Sequence, residues 1–182
     1  MSGHGSHTDH GGNKGVALLI SVLALVLAFS ETLGKSAQTA ALASNIEASN
    51  LWAFFQAKTI RQTTLRTTAE QTEALTASDN SKKLVDGWRK TAQRYQNEPE
   101  TNEGRDQLVA RAKEAEKKRD RSMAAYHHYE VASAAVQIAI VLASASIITA
   151  MVALVWLAGG LGLLGIAFCV IGFFFPTAVH LF

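Results

Sequence analysis

Histidine recurs at every third position near the start of the chain, in the sequence MSGHGSHTDHGG. Once the first methionine is removed, the free amine, two backbone amides and the first imidazole form a set of nitrogen donors. Such a set can surround Cu(II) or Ni(II) in a square plane, the geometry that these ions favour. The candidate metal-binding residues are Ser2, Gly3, His4, His7 and His10. The alternative is a flexible polar tail over residues 1–14 that binds no metal.

A second set of polar residues lies within or beside the long apolar runs. Ser133, Gln137 and Ser144 fall within about 40° of one another on an α-helix, and Glu31 follows the first apolar run. Polar side chains in a membrane helix usually hydrogen-bond to a neighbouring helix, so we predict a packing role. The alternative is a polar path through a ring of subunits, with Glu31 as a carboxylate that handles protons.

The remaining motifs do not indicate an enzyme. The segment from Gly160 to Gly165 matches the G-x-G-x-x-G pattern of dinucleotide sites. Such a site requires a preceding strand and an acidic residue about 20 positions later, and neither accompanies this segment. No nucleophile with its base, carboxylate pair in a pocket or phosphate-binding loop can be recognised. We therefore predict no catalytic residue and no cofactor.

Charge segregation determines which elements carry these residues. Sixteen of the 17 Lys and Arg residues lie between Lys35 and Arg121, and residues 131–182 contain no charged residue. An uncharged apolar run of that length exceeds the roughly 20 residues of one membrane helix, so it predicts two. Glycines place the turn between them at residues 158–162. The sequence therefore predicts an all-α integral membrane protein, with the lipid bilayer as its partner.

Three transmembrane helices are predicted, at residues 15–34, 131–158 and 161–182. The first run holds 16 uncharged residues between Lys14 and Glu31, about 24 Å of helix, so Lys14 must extend outward to the headgroups. A cleaved signal peptide, processed near residues 41–43, is the alternative for this run. Pro176 is expected to kink or end the third helix.

Basic residues near the ends of the helices predict the orientation. Four of them lie between Lys117 and Arg121, close to the second span, whereas the turn between the second and third spans has none. Because Lys and Arg accumulate on the cytoplasmic side, we expect the hydrophilic middle in the cytoplasm and the N-terminal tail outside.

Residues 35–130 are predicted to form a long cytoplasmic stalk, a helical hairpin that resembles a coiled coil. Its predicted helices are 35–76, 82–96 and 105–130. The first measures about 63 Å and the other two together about 61 Å, so the ascending and descending arms match. Ser81 is expected to cap the second helix. Between Arg105 and Ala158 there is no Gly or Pro, so one helix should pass Glu130 without a break.

The first stalk helix carries apolar residues on two opposite faces. One face holds Leu51, Phe55, Leu65 and Ala69, and the other holds Leu42, Ile46, Ala53 and Ile60. Because each apolar face needs a partner, we expect the descending arm to cover one and a second copy of the chain to cover the other. The alternative is a monomer in which Leu84 and Trp88 cover the second face.

Aromatic and basic residues of the same helix have two interpretations. Trp52, Phe55 and Lys58 are predicted to pack within the stalk, and the alternative is a recognition patch for a protein partner. A nucleic-acid partner is not expected, because the net charge is only +2 and acidic residues alternate with the basic ones.

Two segments resemble the shared blocks of a known bacterial family. They are EASNLWAFFQAKTIRQ (Glu47 to Gln62) and AVQIAIVLASASIIT (Ala135 to Thr149), and the family is catalogued as domain of unknown function 4337. The most specific residues are Trp52, Gln56, Ala57 and Lys58. The resemblance covers the chain from about Val16 onward and implies a small bacterial inner-membrane protein with a charged helical middle. It implies neither an activity nor catalytic residues.

The predicted function is therefore structural. We expect an oligomeric inner-membrane protein whose cytoplasmic stalk organises its own assembly or docks a protein partner. The alternative is a small channel, or an accessory subunit of a transporter, that uses the polar face of the second span.

Overall fold

The computed structural model describes residues 10–75 and 78–178, except for the side chains of residues 10–13. Within these residues the chain is helical and has no strand. The helices are α1 (His10–Leu75), α2 (Asp79–Gln96), α3 (Arg105–Thr149) and α4 (Val152–Phe174). Three of them, α1, α3 and α4, are long and apolar enough to cross a membrane. An all-helical chain with three candidate spans is thus confirmed for the described residues.

Helix α3 passes from charged to apolar sequence without a break. It is continuous from Arg105 to Thr149, so the prediction that no break occurs at Glu130 is confirmed. Helix α1 is also continuous from His10 to Leu75. The predicted tail over residues 1–14 is therefore too long, because the backbone is already helical at His10.

The turn between α3 and α4 lies at Ala150 and Met151, so the prediction of a turn at residues 158–162 is wrong. Ala150 adopts a positive φ of 54°, which reverses the chain without a glycine. The glycines lie inside α4 instead, where Gly165 packs against Val136. Close helix packing accounts for Gly165 and also for Gly162, which meets Leu23 of α1, whereas Gly159 and Gly160 have no atom within 4 Å of an added Cβ.

The register of this helix pair agrees with the observed turn. Gly165 faces Val136 and Gly172 faces Tyr129, and both pairs lie symmetrically about the Ala150–Met151 peptide. An antiparallel pair with a minimal connection must have this symmetry, because each residue before the turn meets its counterpart after it. Gly165 and Gly172 thus lie where this register brings α4 against α3.

Two short connections join α1 to α2 and α2 to α3. Ser78 is the N-cap of α2: its hydroxyl accepts a hydrogen bond from the Ser81 N–H, and the Ser81 hydroxyl accepts one from the Ser78 N–H. The predicted cap, Ser81, is instead the N3 residue of this capping box, the third residue of α2. The predicted break after α2 is confirmed, and Asn102 occupies it with a φ of 58°.

The described residues cluster into two compact units. The first comprises residues 10–40 and 121–178, and the second comprises residues 41–75 and 78–120. The core of the first unit consists mostly of small residues: Leu23, Val136, Ala139, Ala143 and Ala158. Small side chains let the helix backbones approach closely, which favours tight packing between apolar helices.

The core of the second unit is formed by α1 and α3, with aromatic side chains at its edge. Its buried residues are Ala48, Leu51, Leu108, Ala112 and Ala115, and Trp52, Phe54 and Phe55 pack against them. Helix α2 contributes buried Val85 and Ala92 to the same unit. The predicted face of α1 with Leu51 and Phe55 is thus the face that its neighbours cover.

Candidate functional site

A groove of about 460 Å³ lies between α1 and α3 in the first unit. Its floor is formed by buried Ser30, Gly34 and Tyr129, and its edges by exposed polar and charged side chains. Gly34 brings the two helices together, since a Cβ atom there would lie 3.4 Å from the Cβ of Tyr129. The close approach makes the floor, and the longer side chains on either side make the walls.

A pair of serines joins the helices at one end of this floor. The hydroxyls of Ser30 and Ser133 lie 2.7 Å apart, and Ser30 is fully buried. Ser30 also donates to the carbonyl of Leu27, at 3.0 Å. Since a hydroxyl has a single proton, Ser133 is the donor in the serine pair. Ser133 therefore serves to pack α3 against α1.

The edge of the groove carries two carboxylates and one ammonium group. The amide of Gln137 donates to Glu31, at 3.3 Å, across the two helices. Lys35 lies one turn after Glu31 on α1, and Glu130 lies two turns before Gln137 on α3. Glu130 also approaches the His127 ring, with 3.7 Å between oxygen and nitrogen. The groove thus presents charges of both signs.

The predicted polar residues of α3 do not share one environment. Ser133 contacts Ser30, Gln137 contacts Glu31, and Ser144 donates to the backbone carbonyl of Ile140, at 2.8 Å. The serine hydroxyls are thus engaged within the chain, as in ordinary helix packing.

Lys58 is the most deeply buried charged side chain of the second unit. It is only 5% exposed, and its ammonium donates to Glu98, at 2.8 Å. Two rings flank the ammonium, with centroids 5.4 Å away for Phe54 and 5.5 Å away for Tyr95. The hydrogen bond from Lys58 lowers the pKa of the Glu98 carboxyl below its ordinary value. The ion pair between Lys58 and Glu98 thus holds the segment that follows α2 against α1.

A polar network next to this pair connects all three helices of the second unit. Gln62 is 2% exposed, and its amide donates to the carbonyl of Ala92, at 2.8 Å. Arg105, at the start of α3, donates to the side-chain oxygens of Gln62 and Gln96 and stacks 4.9 Å from the ring centroid of Phe55. The Arg105 Nε has no hydrogen-bond partner within the described residues. These bonds fix where α2 and α3 lie along α1.

The other predicted packing residues also lie on the covered side of α1. Leu51 is 7% exposed, and Leu65 is half-buried. Trp52 donates from its indole nitrogen to Glu116 on α3, at 2.9 Å, and its ring meets Phe55 edge-on. Trp52, Phe55 and Lys58 are therefore engaged within the chain, which does not favour the recognition patch considered as their alternative.

The opposite side of α1 in the second unit is exposed and uncharged. We call it the α1 stripe: Leu42, Ile46, Ser49, Ala53, Gln56, Ile60, Thr63 and Thr67. Its largest members, Leu42, Ile46 and Ile60, are 59%, 60% and 67% exposed. The alternative in which α2 covers this face is wrong, and Leu84 of α2 is itself 55% exposed. Helix α2 instead packs at Gln62, on the covered side.

The predicted metal-binding residues cannot be placed together. Ser2, Gly3, His4 and His7 lie outside the described residues, and only the backbone of His10 is described, as the first residue of α1. Within the part of the chain that the structure describes, no group of three or more His, Cys, Asp or Glu side chains is arranged to hold a metal ion.

Several interacting residues were not identified from the sequence. Ser30 sits within an apolar run, and a polar residue in such a run is itself a signal for an interhelical hydrogen bond. Gln62, Glu98 and Arg105 carry no such signal, because polar residues surround each of them in the sequence. The buried contact of His128 was also not predicted: the residue is 1% exposed, and its Nε2 lies 3.2 Å from the carbonyl oxygen of Pro176.

Comparison with known proteins identifies one family. The family model described as Domain of unknown function (DUF4337) matches residues 12–175. No curated protein matches the chain, and no solved structure does. The match includes the second unit, nearly all of the first unit, and all residues of the groove, the polar network and the α1 stripe. The chain therefore belongs to the DUF4337 family, as the blocks around Trp52 and Gln137 had suggested.

Proposed function

We propose that the protein is an oligomeric scaffold of the bacterial inner membrane. Helices α1, α3 and α4 would span the bilayer, and residues 41–120 would form a cytoplasmic helical stalk that assembles with further copies or docks a protein partner. The single observation that supports this proposal best is the α1 stripe. A long uncharged face exposed on a helix is typical of a surface that a partner helix covers.

The spacing of the α1 stripe favours another helix as its partner. Its residues follow one another at alternating steps of four and three, the spacing of the inner positions of a coiled coil. Small residues such as Ser49 and Ala53 allow a close approach, and Leu42, Ile46 and Ile60 supply apolar area. No charge interrupts the row, so two such rows meet without like-charge repulsion.

A second copy of the chain satisfies the geometry of this surface. Two copies inserted in one bilayer with the same topology can pair only in parallel, so equivalent residues of α1 face each other. Ala53 then lies opposite Ala53, and Ile60 opposite Ile60. Such a self-matching contact is the property of a two-fold interface.

Charge placed in the α1 stripe tests the proposal. We expect Ala53→Glu to convert the detergent-solubilised oligomer to monomer, because pairing would bury two carboxylates against each other. Ala110→Glu is the matched control, since Ala110 is also an exposed alanine of the second unit but lies on α3. Mass measurement by light scattering reads the result. A wild-type monomer at micromolar concentration, or equal masses for both variants, would contradict the proposal.

The orientation has a separate test. Protease should digest residues 41–120 in inverted membrane vesicles and leave them intact in right-side-out vesicles, because the basic residues near Arg121 favour the cytoplasmic side. Digestion only in right-side-out vesicles would contradict the proposed orientation. It would not bear on the proposed oligomer.

A small channel, or an accessory subunit of a transporter, is the second candidate. The contact between Glu31 and Gln137 supports it, because a carboxylate and an amide side by side next to an apolar span can hold an ion or proton. Conductance across planar bilayers that Gln137→Leu reduces would favour this function. Absence of any current would remove it.

A further inference from the structure

The groove of the first unit lies where both of its helices change from apolar to charged sequence. On α1, Glu31 is the first charged residue after the apolar run, and on α3, Glu130 is the last charged residue before one. In a membrane helix this change occurs at the level of the phospholipid headgroups. A ligand in the groove would therefore have its polar part at that level.

The side chains at the edge of the groove suit a ligand that carries both signs of charge. Glu31 precedes Lys35 by four residues, the spacing of an intrahelical ion pair, yet the pair does not form. Glu31 contacts Gln137 instead, and Lys35 forms no ion pair within the described residues. Lys35 thus leaves an ammonium donor for an anion, and Glu31 and Glu130 leave carboxylate oxygens for a cation.

An apolar surface continues from the groove toward the centre of the predicted span. Ala134 lines the groove on α3, and Val141, two turns further on the same face, is 65% exposed. On α1 the residue one turn before Glu31 is Leu27, which is half-buried. A molecule with a charged head and a hydrocarbon chain can follow this surface from Lys35 to Val141 without leaving it.

We propose that the groove binds the headgroup of a phospholipid that carries a primary ammonium, of the phosphatidylethanolamine type. The phosphate would accept hydrogen bonds from Lys35, and the ammonium would donate to Glu31 and Glu130. The groove has two carboxylates, Glu31 and Glu130, and one ammonium, Lys35, so its net negative charge disfavours an anionic lipid. A quaternary choline headgroup cannot donate the hydrogen bonds that these carboxylates accept.

This inference rests on the proposed membrane location but does not require the oligomer. Native mass spectrometry of the full chain in mild detergent tests it, with phosphatidylethanolamine, phosphatidylcholine and phosphatidylglycerol of identical acyl chains. We expect phosphatidylethanolamine to be retained about fivefold to tenfold more than either other lipid. This factor corresponds to one charge-assisted hydrogen bond that the other two headgroups cannot form. The double variant Glu31→Gln, Glu130→Gln should remove this preference.

Glu47→Gln is the matched control, because Glu47 is an exposed glutamate of the second unit. It should retain the lipid as the wild type does. Lys35→Gln, a second variant with both carboxylates intact, should weaken binding of all three lipids. Circular dichroism of each variant verifies that it is folded. Equal retention of the three lipids by the wild type, or a preference unchanged in the double variant, would overturn the inference.

Soluble glycerophosphoethanolamine separates a lipid ligand from a free one with the same headgroup. We expect it to leave the lipid adduct unchanged at equal concentration, because it lacks the acyl chains that contact Val141. Displacement of the lipid at equal concentration would show that a soluble source suffices and would overturn the lipid assignment. Ala53→Glu should retain the lipid even if it becomes monomeric. Loss of the oligomer and loss of lipid binding can therefore be told apart.

Discussion

The packing of α4 on α3 leads to a prediction about two glycines of the same helix. A Cβ atom on Gly165 would lie 2.5 Å from a methyl of Val136 and 3.1 Å from the carbonyl oxygen of Ala132. A Cβ atom on Gly160 would have no atom within 4 Å. The same change to alanine should therefore have opposite effects at the two positions.

The magnitudes follow from two contributions. Alanine stabilises a helix relative to glycine by about 0.5–1 kcal/mol, because it loses less backbone entropy on folding. At Gly165 the added methyl also overpacks the contact, at a cost of about 1–3 kcal/mol. Val136 cannot move aside, since it is fully buried and its branched side chain is stiff in a helix. Since the backbone contribution cancels, the two variants should differ by about 1–3 kcal/mol.

Equilibrium unfolding in mixed detergent micelles measures this difference. The fraction of SDS is raised, and circular dichroism at the helix band gives the free energy of unfolding for wild type, Gly160→Ala and Gly165→Ala. We expect the free energy of unfolding of Gly160→Ala to lie above that of the wild type and that of Gly165→Ala to lie below it. If Gly165→Ala is as stable as Gly160→Ala, the close contact with Val136 does not exist and the register of α3 and α4 is wrong.

Three further predictions concern the second unit. Leu108→Ala should lower the free energy of unfolding by about 2–5 kcal/mol, because Leu108 is fully buried, and faster hydrogen exchange in α1 and α3 would report it. Gln62→Ala should lower the free energy of unfolding by about 1–3 kcal/mol, because it removes a hydrogen-bond partner from the half-buried Arg105 guanidinium. The pKa of Glu98 is lowered by Lys58, so the pair stabilises the fold above the ordinary carboxyl pKa of 4.5 and this contribution is lost as pH falls through the lowered value. Thermal midpoints between pH 7 and pH 3 should therefore fall less for Glu98→Gln than for the wild type.

The helical character of the chain, and the connections that contain polar residues, were predictable from the sequence. The break after α2 follows from Pro99, Asn102 and Gly104, residues that favour turns. At Gly104 a side chain would collide with the backbone of Glu98, so glycine is required there. The continuity of α3 follows from the absence of Gly and Pro.

The turn at Ala150 could not be found in this way, because Thr149 is its only polar neighbour within residues 147–152 and none of these residues is a turn former. The prediction placed the turn at residues 158–162 because of the glycines there, although glycine is also enriched where packed helices approach closely. The register of α3 against α4 decides between these roles, and that register depends on contacts far apart in the sequence.

The candidate sites were predictable only in part. Glu31 and Gln137 stood out because polar residues are rare in apolar runs. The burial of Lys58 could not be predicted, because its sequence neighbours are both apolar and polar and a lysine on a helix is ordinarily solvated. Its partner, Glu98, is 40 residues away, and only the folded α2 and α3 bring the two together.

The symmetry of the α3–α4 hairpin has a practical consequence for labelling. A residue inserted between Ala150 and Met151 lengthens the loop but leaves every facing pair, such as Val136 with Gly165, in place. The same insertion after Leu161 would rotate the following residues by about 100° and turn Gly165 away from its contact. The hairpin tip is therefore the position at which an epitope or a fluorophore can be introduced with least damage.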